Sequence, residues 1–551
     1  MSELTGLFIK KIGNHRGAPR VWLEGSQASN AGFLPGQRYD VQVEGQKVVL
    51  QANADGSRVV SSKVSGERVN PVIDLNSKSL LAVFDGMDAV RVVVKEGQIF
   101  LLPLASELKK QERFTRLRAR LETGTPLSTA SLSFGGGILT HALHAGLAAG
   151  GVLSNLAFAN EIREELLEHA KVHNDAWAPS TIPLAAPMQE LAFDERAMSH
   201  LPKIDVLEMG LPCSGASPAG KSKRALSHPE DHPEVGHLVV GALMILAKAN
   251  PSIVVLENVP QYAKSASASI LRTQLRDLGY RTHETTLNGK QWGSLEDRTR
   301  WCMVAVSEGI PFSFDQLQPG PVPVVRVKDI LDPVPLDHPS YKDRQGLKDK
   351  MERDKAAGKG FMMQFVSEDD LRVGTLTKGY MKDRSTDPKL LHPTDSELSR
   401  LFTPAEHARA KGVPERLIAG LSATTAHGVV GQSVSYPCFV GVGKHLAATL
   451  RDWDGRPIPK PARLPEGILE LAGEVVATLT LASPQGLYKG QIVAAHQGSF
   501  IQDIGEGQGV LHTSSDFKNP PAIGQRSLLE YDGGVGKSRD LAPAREQGLA
   551  C

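Results

Sequence analysis

Residues 204–217 read Ile204-Asp205-Val206-Leu207-Glu208-Met209-Gly210-Leu211-Pro212-Cys213-Ser214-Gly215-Ala216-Ser217. Ile204 to Leu207 is a buried-strand signal, and the Gly-Leu-Pro-Cys that ends at Cys213 is a loop signal. Cys213 therefore belongs on the loop at the carboxyl end of a strand, where open α/β sheets place their chemistry. A second strand signal, Ile253 to Leu256, runs into Glu257-Asn258-Val259. A third, Trp301 to Val306, follows Glu296-Asp297-Arg298-Thr299-Arg300. Ends of successive strands converge in a doubly wound sheet, so a thiol, a carboxylate and two guanidinium groups meet there. Alone, Cys213 reads as a buried structural thiol, Glu257 as a cap or salt-bridge partner, and Arg298 and Arg300 as surface charge. Their order and their places at strand ends make them candidates for catalysis.

The chain has 551 residues, more than one domain holds, so two to four domains are expected. Hydrophobic residues make up 41% and charged residues 22%, the balance of a globular chain rather than a disordered one. No apolar run reaches the length of a membrane span, and no secretory signal opens the chain, so cytoplasmic residence is expected. Four cysteines, Cys213, Cys302, Cys438 and Cys551, are too few and too scattered for a disulfide framework. Cys302 and Cys438 are assigned to packing. His228-Pro-Glu-Asp-His232 has a zinc-like spacing but no cysteine pair beside it, and no metal is expected. A net charge of +1 neither requires nor excludes a nucleic acid partner, because a local basic face can exist on a neutral chain.

Residues 1–105 read as short strands and turns, with two similar halves. Val21-Trp-Leu-Glu24 leads through Phe33 to strands around Glu44-Gly-Gln46, and Val72-Ile-Asp-Leu75 leads through Phe84 to strands around Glu96-Gly-Gln98. Each half ends in a β-hairpin signal. Residues 106–124 read as a basic helical connector, open to two readings: a helix lying along phosphates, or a solvated face, which is the commoner case. From 128 to 308 strand signals alternate with helical patterns, the α/β signature. Residues 311–400 are rich in Pro, Asp and Lys; residues 401–452 return to helical periodicity; residues 453–483 read as a linker; residues 484–551 read as a further β-domain with a disordered tail from Lys537.

The order Pro212-Cys213, Glu257-Asn258-Val259, Arg298-Thr299-Arg300 resembles the cytosine-5 DNA methyltransferase family. So do Ser217-Pro-Ala-Gly-Lys221, Leu278-Gly-Tyr280, Leu287-Asn288, Thr403-Pro-Ala-Glu406 and Gly431-Gln-Ser-Val434, and the resemblance covers roughly residues 125–450. It implies a Rossmann-like α/β sheet that binds S-adenosylmethionine (residues 125–310 and 401–452), with residues 311–400 as a small target-recognition domain. It implies duplex DNA as partner, flipping of the target cytosine, and a modification enzyme acting as a monomer on DNA. Cys213 would add to the ring, Glu257 would protonate it at N3, Arg298 would hold O2, and Arg300 would serve phosphate or local folding. The donor set would be Phe134, Gly135 and Gly137 in a Gly-rich loop, Glu161 on the ribose hydroxyls, and Pro212 and Gln432. Gln189 and Asp194 both fit the adenine position, and the choice stays open. The loop opens with Ser131 and Ser133 where the family has an acidic residue and Phe. Ile138 stands for the third glycine, Ser214 for a Gln, Glu296 for a Gln and Gln432 for an Asn. A catalytically silent DNA-binding regulator and an RNA cytosine methyltransferase are the rival readings. The first half of residues 1–105 resembles SymE/AbrB-like swapped-hairpin domains, and residues 484–535 resemble KfrB domains of plasmids, which implies a gene carried on a bacterial, phage or plasmid element.

Overall fold

The computed structural model describes residues 4–213, 215–216, 227–358, 362–454, 478–482, 486–496, 498–505, 508–532 and 535–541. Seven strands build the central sheet: β1 (Leu127–Leu132), β2 (Ser154–Asn160), β3 (Trp177–Leu184), β4 (Val206–Met209), β5 (Ile253–Asn258), β6 (Tyr280–Asn288) and β7 (Thr299–Ser307). Their spatial order is 3-2-1-4-5-7-6. β1 to β5 are parallel, and β7 is antiparallel to both of its neighbours. The order reverses between β1 and β4, so the crevice beyond their carboxyl ends is where a doubly wound sheet binds its ligand.

β4 and β5 are buried at every position, as their near-continuous apolar runs require of strands covered on both faces. Leu207, Met209, Val254 and Leu256 pack into the cluster formed with the helix Leu238–Ala249. Val206, Ile253 and Val255 join the opposite cluster, which holds residues of α2 (Ile138–Ala149) and α4 (Tyr436–Asp454). Cys302 and Cys438 are fully buried in that second cluster.

The basic connector takes neither of its two expected roles. α1 (Ala105–Thr123) packs on the sheet, and three of its four arginines, Arg113, Arg116 and Arg120, point inward, while Arg118 is exposed. Arg113 is fully buried and donates to Ser307 Oγ (3.0 Å), Asn250 Oδ1 (3.1 Å) and the carbonyls of Leu278 (3.0 Å) and Gly279 (3.3 Å). Arg116 bonds Asp205 Oδ1 and the carbonyls of Ile204 and Asn250. Arg120 pairs with the same carboxylate at 2.9 Å. A guanidinium with five donors satisfies several loop carbonyls at once, which an apolar residue cannot do. The basic pattern is a clamp on the amino ends of β4 and β5.

Residues 4–103 form two layers. The six-stranded sheet has the order 4–11, 89–95, 98–103, 47–52, 38–44, 58–59, and the four-stranded sheet 13–15, 18–24, 68–76, 61–65. Each half carries the same succession of elements, with a one-turn helix at Ser26–Ser29 in the first and Lys78–Leu81 in the second. The first strand of each half pairs with the other half, Leu4–Lys11 with Ala89–Lys95 and Arg58–Val59 with Arg38–Glu44. One chain thus closes the exchange by itself.

Residues 327–402 carry a four-stranded sheet ordered 342–343, 398–400, 389–391, 365–366, over a core of Val327, Val366, Leu376, Tyr380, Leu390 and Phe402. Phe312, Phe314 and Leu317 belong instead to the central cluster, so the small domain begins later than residue 311. The carboxyl-terminal unit is a six-stranded sheet around Ile492, Phe500, Phe517, Leu529 and Tyr531. Its last strand, Val535–Asp540, pairs along Arg526–Asp532, so Lys537 lies in a strand rather than in a tail.

Candidate active site

The carboxyl ends of β4, β5 and the start of β7 bring the four expected catalytic groups, Cys213, Glu257, Arg298 and Arg300, within electrostatic reach of one another. Cys213 is half-buried on the loop after β4. Its carbonyl accepts from Ala216 N at 2.9 Å, a tight turn that fixes the loop. Ser214 and residues 217–226, with the Ser217-to-Lys221 motif, lie outside the described residues. Glu257 is buried near the end of β5 and forms an ion pair with Arg300 Nε at 2.8 Å. Burial pushes the Glu257 carboxyl above its ordinary value despite Arg300, Arg298 and Lys411. Burial also raises the Cys213 thiol, and the Glu257 charge adds to this; Arg300 and Arg298 oppose it without prevailing. The resting site therefore holds a neutral thiol beside a carboxyl whose proton affinity burial has raised.

Arg300 reaches Glu257, whereas Arg298, fully buried, donates to the Gly431 carbonyl at 3.1 Å and lies 3.6 Å from Glu296. Burial brings Arg298 down to about 10, still charged at neutral pH. Glu296 is buried too, accepts from Leu376 N (2.8 Å) and faces Lys411 Nζ at 3.4 Å. The acidic residue in place of the expected Gln thus lies between Arg298 and a buried lysine, whose ammonium burial holds well below its ordinary value.

The Glu257-Asn258-Val259 motif by itself gives Asn258 no role. Its Nδ2 donates to the Leu211 carbonyl at 2.9 Å, tying the nucleophile loop to the end of β5. The signal available was its place directly after Glu257.

The Gly-rich loop joins β1 to α2. Gly135 and Gly137 have φ of 58° and 72°, the left-handed region that glycine enters without strain. Gly135 N donates to Glu161 Oε2 at 2.7 Å, and Arg163 N to Glu161 Oε1 at 3.1 Å. Each carboxylate oxygen keeps a second lone pair, so this pair of bonds leaves room for two ribose hydroxyls. Gly136 lies so close to Val429 of α3 (Ala423–Gln432) that an added Cβ would sit 2.3 Å from Val429 Cγ1. Gln432, exposed at the end of α3, is one turn beyond that contact. Phe134 is 6% exposed and packs edge-on against Trp177. Asp194 caps the helix Glu195–His200 by accepting from Arg196 N and Ala197 N, each at 2.9 Å. Gln189 is half-buried in the helix Met188–Phe193. Among the described residues no group of His, Cys, Asp and Glu is arranged to hold a metal ion, and no helix is long and apolar enough to cross a membrane.

A mostly parallel sheet with the order 3-2-1-4-5-7-6, in which β7 is antiparallel, a glycine loop after β1 and an acidic residue after β2 define a Rossmann-like methyltransferase. Residues 128–448 match the model of the C-5 cytosine-specific DNA methylase family, and the chain belongs to that family. Residues 487–540 match the KfrB domain. Type II methyltransferase M.NlaX of Neisseria lactamica is 26% identical over 260 residues, 46% of this chain and 79% of the relative. Type II methyltransferase M.HpaII of Haemophilus parainfluenzae is 26% identical over 287 residues, 48% of this chain and 77% of the relative. Among solved structures, the S. pombe Dnmt2 methyltransferase aligns at a TM-score of 0.45 and 19% identity, covering 59% of this chain and 99% of its own.

Proposed function

We propose that the chain methylates carbon-5 of a cytosine flipped out of duplex DNA, through a covalent adduct at Cys213. The observation that carries this reading is the meeting of Cys213, Glu257 and Arg300 at adjacent strand ends beside the Gly-rich loop. Carbon-5 of cytosine is a poor nucleophile. Once the Cys213 thiol has released its proton to solvent, addition of the thiolate at carbon-6, with a proton passing from the Glu257 carboxyl to N3, makes carbon-5 enamine-like. Arg300 steadies Glu257 as it gains charge. Arg298 holds Gly431 and with it the end of α3. After methylation, loss of the carbon-5 proton expels the Cys213 sulfur and restores the ring. S-adenosylmethionine supplies the electrophilic methyl group when bound. Glu161, Gly135 and Gly137 would hold it, and Pro212 and Gln432 would border it. A base within a duplex cannot reach this site, so extrusion at a cost of a few kcal/mol is required. Residues 327–402 would read the target sequence. The KfrB match beside the methylase supports a modification enzyme of a mobile element; the enzyme would act as a monomer on DNA inside the cell.

Bisulfite sequencing of DNA and total RNA from cells expressing the chain, beside Cys213→Ala, tests the proposal. Methylcytosine in one short DNA motif, absent with the variant, is expected. Methylation confined to RNA, or none in either nucleic acid from soluble protein, would overturn it.

A further inference from the structure

Glu208 sits in the middle of the central sheet and has no part in the chemistry above. It is 2% exposed on β4, in register with Ser131 of β1 on one side and Val255 of β5 on the other. Thr140 Oγ1 donates to its Oε1. Its Oε2 is buried with no hydrogen-bond partner among the described residues. Ser131 is two residues before Ser133, where the Gly-rich loop begins with φ of 57°, and Thr140 is in the first turn of α2, where that loop ends. One carboxyl therefore touches both ends of the loop.

The charges around it are sparse. β1 offers the Ser131 and Thr129 hydroxyls. α2 offers Thr140, His141 and His144. Burial holds both histidines neutral; His141 bonds Tyr436 of α4, and His144 bonds Thr129 and Ser154. β5 offers Val255 in register and Glu257 two residues further on. No cation is paired with Glu208 among the described residues. Burial outweighs both hydroxyls and raises the carboxyl to about 8, so it is neutral at neutral pH. A neutral acid under a loop that binds a cationic sulfonium ligand is a reservoir of one negative charge.

We propose that Glu208 is a positioning residue of the donor site, which releases its proton to solvent when the positively charged methyl donor binds and thereby supplies the loop with a countercharge. The inference rests on the donor-binding role proposed for the loop. Its balance is simple: the O–H bond of the carboxyl breaks, the proton goes to buffer, and the carboxylate remains hydrogen-bonded to Thr140.

The test is titration calorimetry of the full chain with S-adenosylmethionine, in buffers of different ionisation enthalpy, from pH 6 to pH 9. Release of about one proton per donor at pH 7 is expected, falling toward none by pH 9, with affinity rising up to about tenfold per pH unit below pH 8. Glu208→Gln is expected to bind with no proton release and no pH dependence from this source. Should that variant not fold, Thr140→Val keeps the carboxyl while removing its donor, and is expected to move the pH of half-maximal release upward. Donor binding with no proton release in the wild type, or with unchanged release in Glu208→Gln, or an unmoved midpoint in Thr140→Val, overturns the inference and leaves the donor reading intact. No binding of the donor at any pH overturns both.

Discussion

A thiol that must attack begins from the neutral form here, and the groups that set this are Glu257, Arg298 and Arg300. The rate of Cys213 alkylation by iodoacetamide, followed by mass mapping against pH, is expected to have a midpoint above that of an ordinary thiol. Glu257→Gln removes the negative neighbour and is expected to lower that midpoint; Arg300→Leu removes the nearer cation and is expected to raise it. Opposite signs would contradict this arrangement of Glu257 and Arg300 around Cys213. Asn258 acts through the backbone, by its bond to Leu211. Asn258→Ala frees the nucleophile loop, and a loss of alignment of about 1 Å costs a reacting pair about 100-fold. Single-turnover methyl transfer is expected to slow by 10- to 100-fold (an order-of-magnitude range), with DNA affinity little changed. Asn258 stood in a quoted motif, but a bond to a residue 47 positions away leaves no local pattern.

At the scale of elements, α1 is the clearest case of a sequence pattern with the wrong surface meaning. Lys and Arg along a helix usually face water. In α1 the arginines Arg113, Arg116 and Arg120 recur at i, i+3 and i+7, one face, and that face meets carbonyls and Asp205 at the amino ends of β4 and β5. Arg113→Ala strands four acceptors and opens a cavity, so a loss of about 3 kcal/mol or more is expected in the calorimetric transition of the catalytic unit. Glu296, Arg298 and Lys411 form a second buried charge group, between β7 and the segment around Leu376. The charge at 296 was legible; its partner at 411 lies 115 positions on, and only packing brings them together (411 − 296).

At the scale of the whole molecule, the same clamp fixes where the chain can be cut. Residues 105–551 are expected to express as soluble protein with the catalytic transition retained, whereas residues 125–551, without α1, are expected to aggregate. Equal solubility of the two truncations would contradict the clamp. Acid and base limits also follow from buried groups. His144 is lowered to about 3 and His427 to about 4, both below the ordinary 6.5. A folded value below the unfolded one means their contribution is present above pH 6.5 and is lost as pH falls toward 4. Glu208 has the opposite sign: raised from 4.5 to about 8, it contributes fully below pH 4.5 and loses stability as pH rises to 8. The thermal midpoint of the catalytic unit is expected to decline on both sides of a maximum near neutral or slightly acid pH, and Glu208→Gln is expected to flatten the alkaline side and steepen the acid side above pH 4.5.

The sequence by itself determined the alternation of strands and helices, the placement of Cys213, Glu257 and the arginines at strand ends, and the Gly-rich loop with Glu161. These are local: apolar runs, turn residues and short motifs act within a few positions, so each is written where it occurs. Only the tertiary structure decided which arginine meets Glu257, that Phe134 is core, that α1 is buried, and that Glu208 faces a loop on another strand. Those outcomes depend on register between strands and on which face of an element meets the sheet, and a shift of one residue in either would reverse them. Charge is where the two levels part most sharply, because burial changes the state of a carboxyl or thiol without changing a letter of the sequence.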